Sequence, residues 1–261
     1  DALSTIRPEN DYTSGYRYGK TDSSSGSTSY PLGSFQGSPI TTINVPSTVT
    51  SITSNLYLYS SIAQFVCEES EYVNGTGYFD YIGGNGYFDD DGILYKKNSY
   101  TEVQTLIKCP NSKGVKEYTV LEGTSSISAK AFVNKQTLTK LVVPGTVTTI
   151  GANAFQNNTY LGEITLEAGV TTAGDYAFQN CTYLKTLTLS EGLKTIGIYA
   201  FENCDVIKSV VIPDTVTSIG RYAFYGCALL EEVDLGRGLT SLAEQTFGQC
   251  PKLTTVTISD A

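Results

Sequence analysis

The sequence predicts a right-handed α/β repeat solenoid: short parallel strands stacked on one face, short helical turns on the other, and a β-hairpin insertion. Two observations carry this. Phe132, Phe155, Phe178, Phe201, Phe224 and Phe247 recur every 23 residues. Around them three apolar positions in an LxxLxL spacing keep the same step: Leu138/Leu141/Val143, Leu161/Ile164/Leu166, Leu184/Leu187/Leu189, Ile207/Val210/Ile212, Leu230/Val233/Leu235 and Leu253/Val256/Ile258. A unit of this length has no core of its own and is stabilised by neighbours stacked on both sides. Binding then belongs to surfaces rather than to a pocket.

The last two positions of each LxxLxL alternate apolar and polar like a half-buried strand, and the first packs as the chain enters it. Val115/Tyr118/Val120 begins the series one unit earlier. After the strand come Val147, Val170, Leu193, Val216 and Leu239, then Ile150, Ala173, Ile196, Ile219 and Leu242, then the Ala-Phe pairs from Ala154 onward. Spacings of 3, 4 and 1 suit a turn followed by about one helical turn facing inward. Gly151, Gly174, Gly197 and Gly220 mark tight bends, and Pro144 and Pro213 sit at strand ends where no ladder donor is needed.

A worn copy of the pattern lies upstream. Ile40/Ile43/Val45 with Val49 and Ile52 reads as one repeat, Leu56 and Tyr57 replacing its Ala-Phe pair, and Ile62/Phe65/Cys67 reads as the next strand, making nine. Ile62 to Val115 spans 53 residues, one period of 23 plus 30, so an insertion occupies about 68–114. Its Gly-Tyr-Phe-Asp pieces, Ile93–Tyr95 and Leu106–Ile107 read as hairpin material. Residues 40–261 thus form the repeat domain, and 1–39, rich in Ser, Thr, Gly and Tyr, form an arm that caps the first repeat or a linker.

Composition bounds the chemistry. With no His in 261 residues there is no Ser-His-Asp triad, Cys-His pair or imidazole-held metal. A glycosidase-type carboxylate pair remains conceivable, but nothing marks one. A net charge of −9 argues against nucleic acid and anionic membrane, which need basic patches, and no apolar run reaches the length of a membrane span. No cofactor is called for.

Cys181, Cys204, Cys227 and Cys250 lie one period apart, so their Cβ vectors run parallel instead of converging. Buried free thiols, all four slow to alkylate, are preferred to disulfides or a metal site. Cys67 replaces a core aliphatic, and Cys109 reads either way. Glu68, Glu69, Glu71, Asp80 and Asp89–Asp91 before Gly92 offer oxygen ligands for Ca2+, but lack an Asp-x-Asp-x-Asp-Gly loop with a closing Glu, and solvated hairpin turns are the preferred reading. Tyr176, Tyr199 and Tyr222 form a second column, read as inter-repeat packing in preference to a sugar-stacking platform.

The outward sheet face shows small polar residues such as Thr165, Thr186, Thr188 and Ser209, with no aromatic or arginine anchor. Aromatic density lies in the insertion, where Tyr72, Tyr78, Phe79, Tyr81, Tyr87, Phe88 and Tyr95 are the candidate binding residues. The competing reading is that these rings fold down to cap the early repeats.

The run VIPDTVTSIGRYAFYGC at 211–227, its relatives at 142–158 and 188–204, and the DGILYKKN and LIKCP pieces between 91 and 110 resemble the BspA-type, or Treponema pallidum-type, leucine-rich repeats. The Ile-Gly-x-x-Ala-Phe-x-x-Cys block separates that class from other leucine-rich repeats. Lys135 and Asn158 depart from it in the Cys slot, and Thr246 replaces Ala in the final repeat. The resemblance implies a secreted or surface-anchored protein serving attachment, with no catalytic motif. The function expected is therefore an extracellular binding or adhesion module for a host protein or glycan. A passive stalk of a larger surface protein is the alternative, and a carboxylate-dependent glycan-active enzyme a distant third.

Overall fold

The computed structural model describes residues 20–21, 28–30, 41–45, 49–52, 64–67, 85–98, 101, 103–110 and 113–258. The chain divides into two compact units, Asp1–Lys113 and Gly114–Ala261.

In the first unit, β1 (Lys20–Thr21) pairs antiparallel with β2 (Thr28–Tyr30), and β2 pairs parallel with β4 (Val49–Ile52). The worn repeats exist as strands: β3 (Thr42–Val45) and β5 (Gln64–Cys67) are parallel, with Ile43 opposite Phe65 and Val45 opposite Cys67. Leu56 and Tyr57 lie outside the described residues. The hairpin material forms an antiparallel meander of β6 (Asn85–Asp90), β7 (Ile93–Asn98) and β8 (Gln104–Lys108). Asp91 and Gly92 close the β6–β7 hairpin with φ of 48° and 71°, the two left-handed residues that a type I′ turn requires.

The second unit is the solenoid. Its main strands are β9 (Glu117–Thr119), β11 (Lys140–Val143), β13 (Glu163–Leu166), β15 (Thr186–Thr188), β17 (Ser209–Val211), β19 (Glu232–Leu235) and β20 (Thr255–Ile258). They pair parallel at the 23-residue step, Leu141 opposite Ile164 and Val210 opposite Val233. Every strand pair joins except one: β15 ends one sheet and β17 begins another. A second parallel series, which the sequence reading missed, is made by β10 (Thr124–Ile127), β12 (Thr149–Ile150), β14 (Thr172–Ala173), β16 (Thr195–Ile196) and β18 (Ser218–Ile219).

The expected helical turn does not form; among the described residues there is no helix. Two positions per repeat are left-handed: Asn153, Tyr176, Tyr199 and Tyr222 at φ of 55–60°, and, four residues on, Asn157, Asn180 and Asn203 at 55–61°. Left-handed residues interrupt any right-handed helix. Alternate amides consequently bond within the repeat and across it. Ala177 and Gln179 donate three residues back, to Gly174 and Tyr176, while Tyr176, Phe178 and Asn180 donate to Ile198, Ala200 and Glu202 of the next repeat at 2.8 Å. The segment is a run of turns laddered to its neighbours. It buries the same apolar positions a helical turn would, which is why the spacing was ambiguous.

The four glycines are needed for close approach. A Cβ on Gly220 would stand 2.5 Å from the Ile198 nitrogen of the preceding repeat, and on Gly151 2.5 Å from that of Ala129.

Inside, Phe155, Phe178, Phe201 and Phe224 are fully buried and stack with ring centroids 5.2 Å apart and interplanar angles of 4–9°. Asn157 donates to Asn134, Asn180 to Asn157 and Asn203 to Asn180 through their side chains, at 2.9, 2.7 and 2.9 Å.

Two variants test this arrangement. Phe178→Ala empties one place in the ring column and is expected to cost about 3–5 kcal/mol of unfolding free energy in chemical denaturation. At Asn180, Ala carries a Cβ into a left-handed backbone and Gly does not, so Asn180→Ala is expected to be about 1 kcal/mol less stable than Asn180→Gly. Equal stabilities of that pair would contradict the turn ladder.

Candidate binding surfaces

Three groups of side chains that the sequence singles out are placed very differently. The first is the aromatic set of the insertion. Tyr72, Tyr78, Phe79 and Tyr81 lie outside the described residues, and Tyr87 and Phe88 lie in β6, whose backbone alone is described up to Asp89. Tyr95 stands opposite Phe88 in the hairpin register, and its side chain is 0% exposed. Tyr95 therefore belongs to the core of the meander, not to a surface, because β7 is its central strand and buries Ile93, Leu94 and Tyr95 together. The acidic cluster follows the hairpin reading where it is described: Asp91 sits at the turn, its carboxylate 86% exposed and 2.9 Å from Lys113 Nζ.

The second is the cysteine column. Cys109, Cys181, Cys204, Cys227 and Cys250 are free thiols. Each column thiol donates to the phenylalanine carbonyl of the preceding repeat: Cys181 to Phe155 at 3.5 Å, Cys204 to Phe178 at 3.6 Å, Cys227 to Phe201 at 3.4 Å and Cys250 to Phe224 at 3.2 Å. Asn158 performs the same service with its amide, Nδ2 to Phe132 O at 2.9 Å. The slot thus holds a buried donor, an amide in Asn158 and a thiol in the later repeats, and Lys135 is buried in it as well.

Burial pushes the Cys181 thiol up to about 12 and holds Cys204 well above its ordinary value. Cys227 is also raised, first by its hydrogen bond to Cys250 and then by burial. Cys250 departs from the expectation of four protected thiols. It is half-buried at the end of the column, and accepting that bond lowers it to about 7.

The third is the tyrosine column. Tyr176, Tyr199 and Tyr222 stack on one another at 5.1 and 4.8 Å with interplanar angles of 13° and 5°. Their shared faces are covered by each other, so the column packs repeats together and offers no open platform to a sugar ring.

The turns that lead into β13 and β15 carry aromatics that the sequence reading passed over. Tyr160 and Tyr183, one period apart, are 58% and 49% exposed. Lys185 Nζ lies 4.2 Å from the centroid of the Tyr183 ring and 2.8 Å from its hydroxyl. Val211 is 64% exposed on β17. The signal was available in the sequence. The column that holds Thr137, Tyr160, Tyr183, Val206, Leu229 and Lys252 has no conserved core character, and a large ring in such a column has no packing duty.

This architecture has known relatives. The chain matches the BspA type leucine rich repeat region in six copies, over residues 19–82, 109–227 and 194–261. It belongs to that family. Residues 83–108, between matched segments, contain β6–β8. A leucine-rich cell surface protein from Faecalibacterium prausnitzii superposes with a TM-score of 0.60 at 23% identity, over 85% of this chain and 49% of its own. The Treponema pallidum leucine-rich repeat protein gives 0.58 at 28% identity, over 63% of this chain and 78% of its own. The pneumococcal vaccine antigen PcpA gives 0.55 at 21% identity, over 85% and 46%. This BspA-type chain thus spans about half the length of the first and third of these, which share its fold. No functionally curated protein matches it. Among the described residues no helix is long and apolar enough to cross a membrane.

Two measurements follow from these geometries. Iodoacetamide should label Cys250 of the native protein rapidly and leave Cys181 and Cys204 unmodified until unfolding. Because the thiolate is the nucleophile, the Cys250 rate should rise with pH through about 7 and level off above it, and Cys250→Ser should remove the fast phase. Tyr183→Ala, by contrast, should change unfolding stability by no more than about 0.5 kcal/mol, since an exposed ring contributes little to a core.

Proposed function

We propose that this BspA-type repeat chain is an extracellular recognition module of a bacterial surface protein, binding a host protein or glycan. The observation that carries the reading is the pair of tyrosines, Tyr160 and Tyr183, exposed in a stack whose other large rings are buried or half-buried, the Tyr183 ring carrying a lysine. Exposed aromatics with a cationic neighbour are the side chains that anchor interfaces. A family of leucine-rich repeats, with a solved member described as a cell surface protein, supports placing such an interface outside the cell. Within the chain, Tyr72, Tyr78, Phe79 and Tyr81 form a second proposed contact, since tyrosines spaced by glycines supply amphipathic area.

The stalk reading rests on the threonine-rich sheet face, on which Thr186 and Thr188 are exposed with no anchor between them. The two readings separate experimentally. Binding of the purified chain to host extracellular matrix proteins and mucin glycans is measured for the parent, for a variant with Tyr72, Tyr78, Phe79 and Tyr81 changed to serine, and for Tyr160→Ser/Tyr183→Ser. A recognition module is expected to lose about tenfold or more in affinity in at least one variant, with unfolding midpoints unchanged. A stalk binds none of these surfaces, and parent and variants behave alike.

A further inference from the structure

Among the main strands the parallel ladder is continuous except between β15 and β17, while the second series ends at β18. On the turn side the repeats on either side of that boundary remain in register: Phe178 and Phe201 stack at 5.2 Å, Tyr176 and Tyr199 at 5.1 Å, and Thr195 stands opposite Ser218 as Thr172 does opposite Thr195. On the sheet side the ladder stops. Lys185 and Thr186 donate back to Gly162, and Glu231 and Glu232 donate back to Lys208, but neither Lys208 nor Ser209 donates to Lys185. A parallel strand presents the amide and carbonyl of successive residues to alternate sides. With Thr186 bonded toward β13 and Ile212 toward β19, the polar groups of Leu187 on one lip and of Ser209 and Val211 on the other point into the break.

The core shows the opening too. At the same inward position Leu141 and Ile164 are fully buried and Val210 is 2% exposed, whereas Leu187 is only half-buried. The hydroxyl of Ser190, just past β15, is buried with no hydrogen-bond partner.

We propose that this break is a docking slot for an extended peptide segment of a partner protein, lodged as an added strand between β15 and β17. Such a strand satisfies the lip amides and carbonyls by main-chain pairing, the mode in which an exposed edge confers affinity and alternate side chains confer specificity. Its inward residue is apolar, because it covers Leu187. Its flanking residues are acidic. Lys185 and Lys208 stand one repeat apart at the lips, Lys185 leans on a neutral tyrosine ring, and neither forms an ion pair among the described residues, in a chain of net charge −9. Lys208 has Glu231 one repeat on, whereas Lys185 has Gly162 at the corresponding place in the repeat before it, so the β15 lip carries a cation that a carboxylate of the incoming strand complements. The slot lies outside the tyrosine-rich segment, so losing this activity and losing contact through Tyr72–Tyr81 are separable outcomes.

The test is amide hydrogen exchange with and without a short synthetic peptide alternating valine with glutamate. In the free protein the amides of Leu187, Ser209 and Val211 should exchange rapidly while those of Ile164 and Val233 are protected. Saturating peptide should slow the lip amides. Lys185→Glu combined with Lys208→Glu should weaken binding about tenfold, as expected for reversing two exposed charge pairs. A backbone N-methylated peptide, which needs no change to the protein, should not bind. The proposal is overturned if the lip amides are already protected in the free protein, if millimolar peptide leaves their exchange unchanged, or if the N-methylated or a valine–lysine peptide binds as well as the parent.

Discussion

A single constraint organises the second unit: a backbone amide must find a carbonyl one repeat away. In the turn segment Phe132, Phe155, Phe178, Phe201 and Phe224 all donate forward, to residues 154, 177, 200, 223 and 246, at 2.7–2.8 Å. In the strands the direction is reversed, and Thr139, Gly162, Lys185, Glu231 and Thr254 donate backward. A change of one residue in any repeat would put every one of these donors against the wrong acceptor. Unmade backbone hydrogen bonds in a dry interior cost more than the made ones contribute, so the period is held at 23 throughout these repeats. The columns of Phe, Asn, Tyr and Cys are its consequence. Once the backbone repeats by translation, identical side chains are carried to identical places about 5 Å apart, and types that tolerate self-stacking are retained.

That constraint also explains the strain the structure carries. An aromatic residue in the left-handed region is costly, of the order of 1–3 kcal/mol, and Tyr176, Tyr199 and Tyr222 all occupy it. Each donates its amide to the next repeat and lays its ring on its neighbour. The neighbours hold the conformation, as they must where a local preference is overridden. In the other repeats the same slot is filled by Lys130, Asn153 and Gln245, and of these only Asn153 has the short polar side chain that accepts that backbone more readily.

The period, the inward columns, the strand registers and the hairpin were legible in the sequence because each is a statement about side-chain spacing. The helical turn was misread for the same reason. Spacings of 3, 4 and 1 describe which positions face inward and are silent on the sign of φ. The recurring Asn134, Asn157, Asn180 and Asn203, followed by Gly226, did carry that information, since Asn and Gly are the residues that favour left-handed backbone. Cys250 was misjudged by treating a column as endless: its fellows have neighbours on both sides, whereas it stands at the end and is half-buried. Tyr95 was grouped with the surface aromatics by proximity in sequence, although it follows Ile93 and Leu94 in a strand that is buried on both faces.

The break between β15 and β17 was not legible at all, and the reason is instructive. Thr186, Leu187 and Thr188 fit the repeat as well as Glu163, Ile164 and Thr165 do, so no side chain announces that the main chains part. In a one-dimensional stack each interface has its own stability, and a local opening on the sheet side is tolerated where the turn ladder and the Phe column on the far side stay closed. The opening leaves a leucine partly uncovered and strand edges unpaired, two features that soluble β-proteins ordinarily suppress. Lys185 and Lys208 at its lips are the kind of charge that keeps an edge from pairing with its own copies. The same two lysines that discourage another basic-lipped edge favour a strand of opposite charge, so protection against self-association and selection of a partner follow from one arrangement.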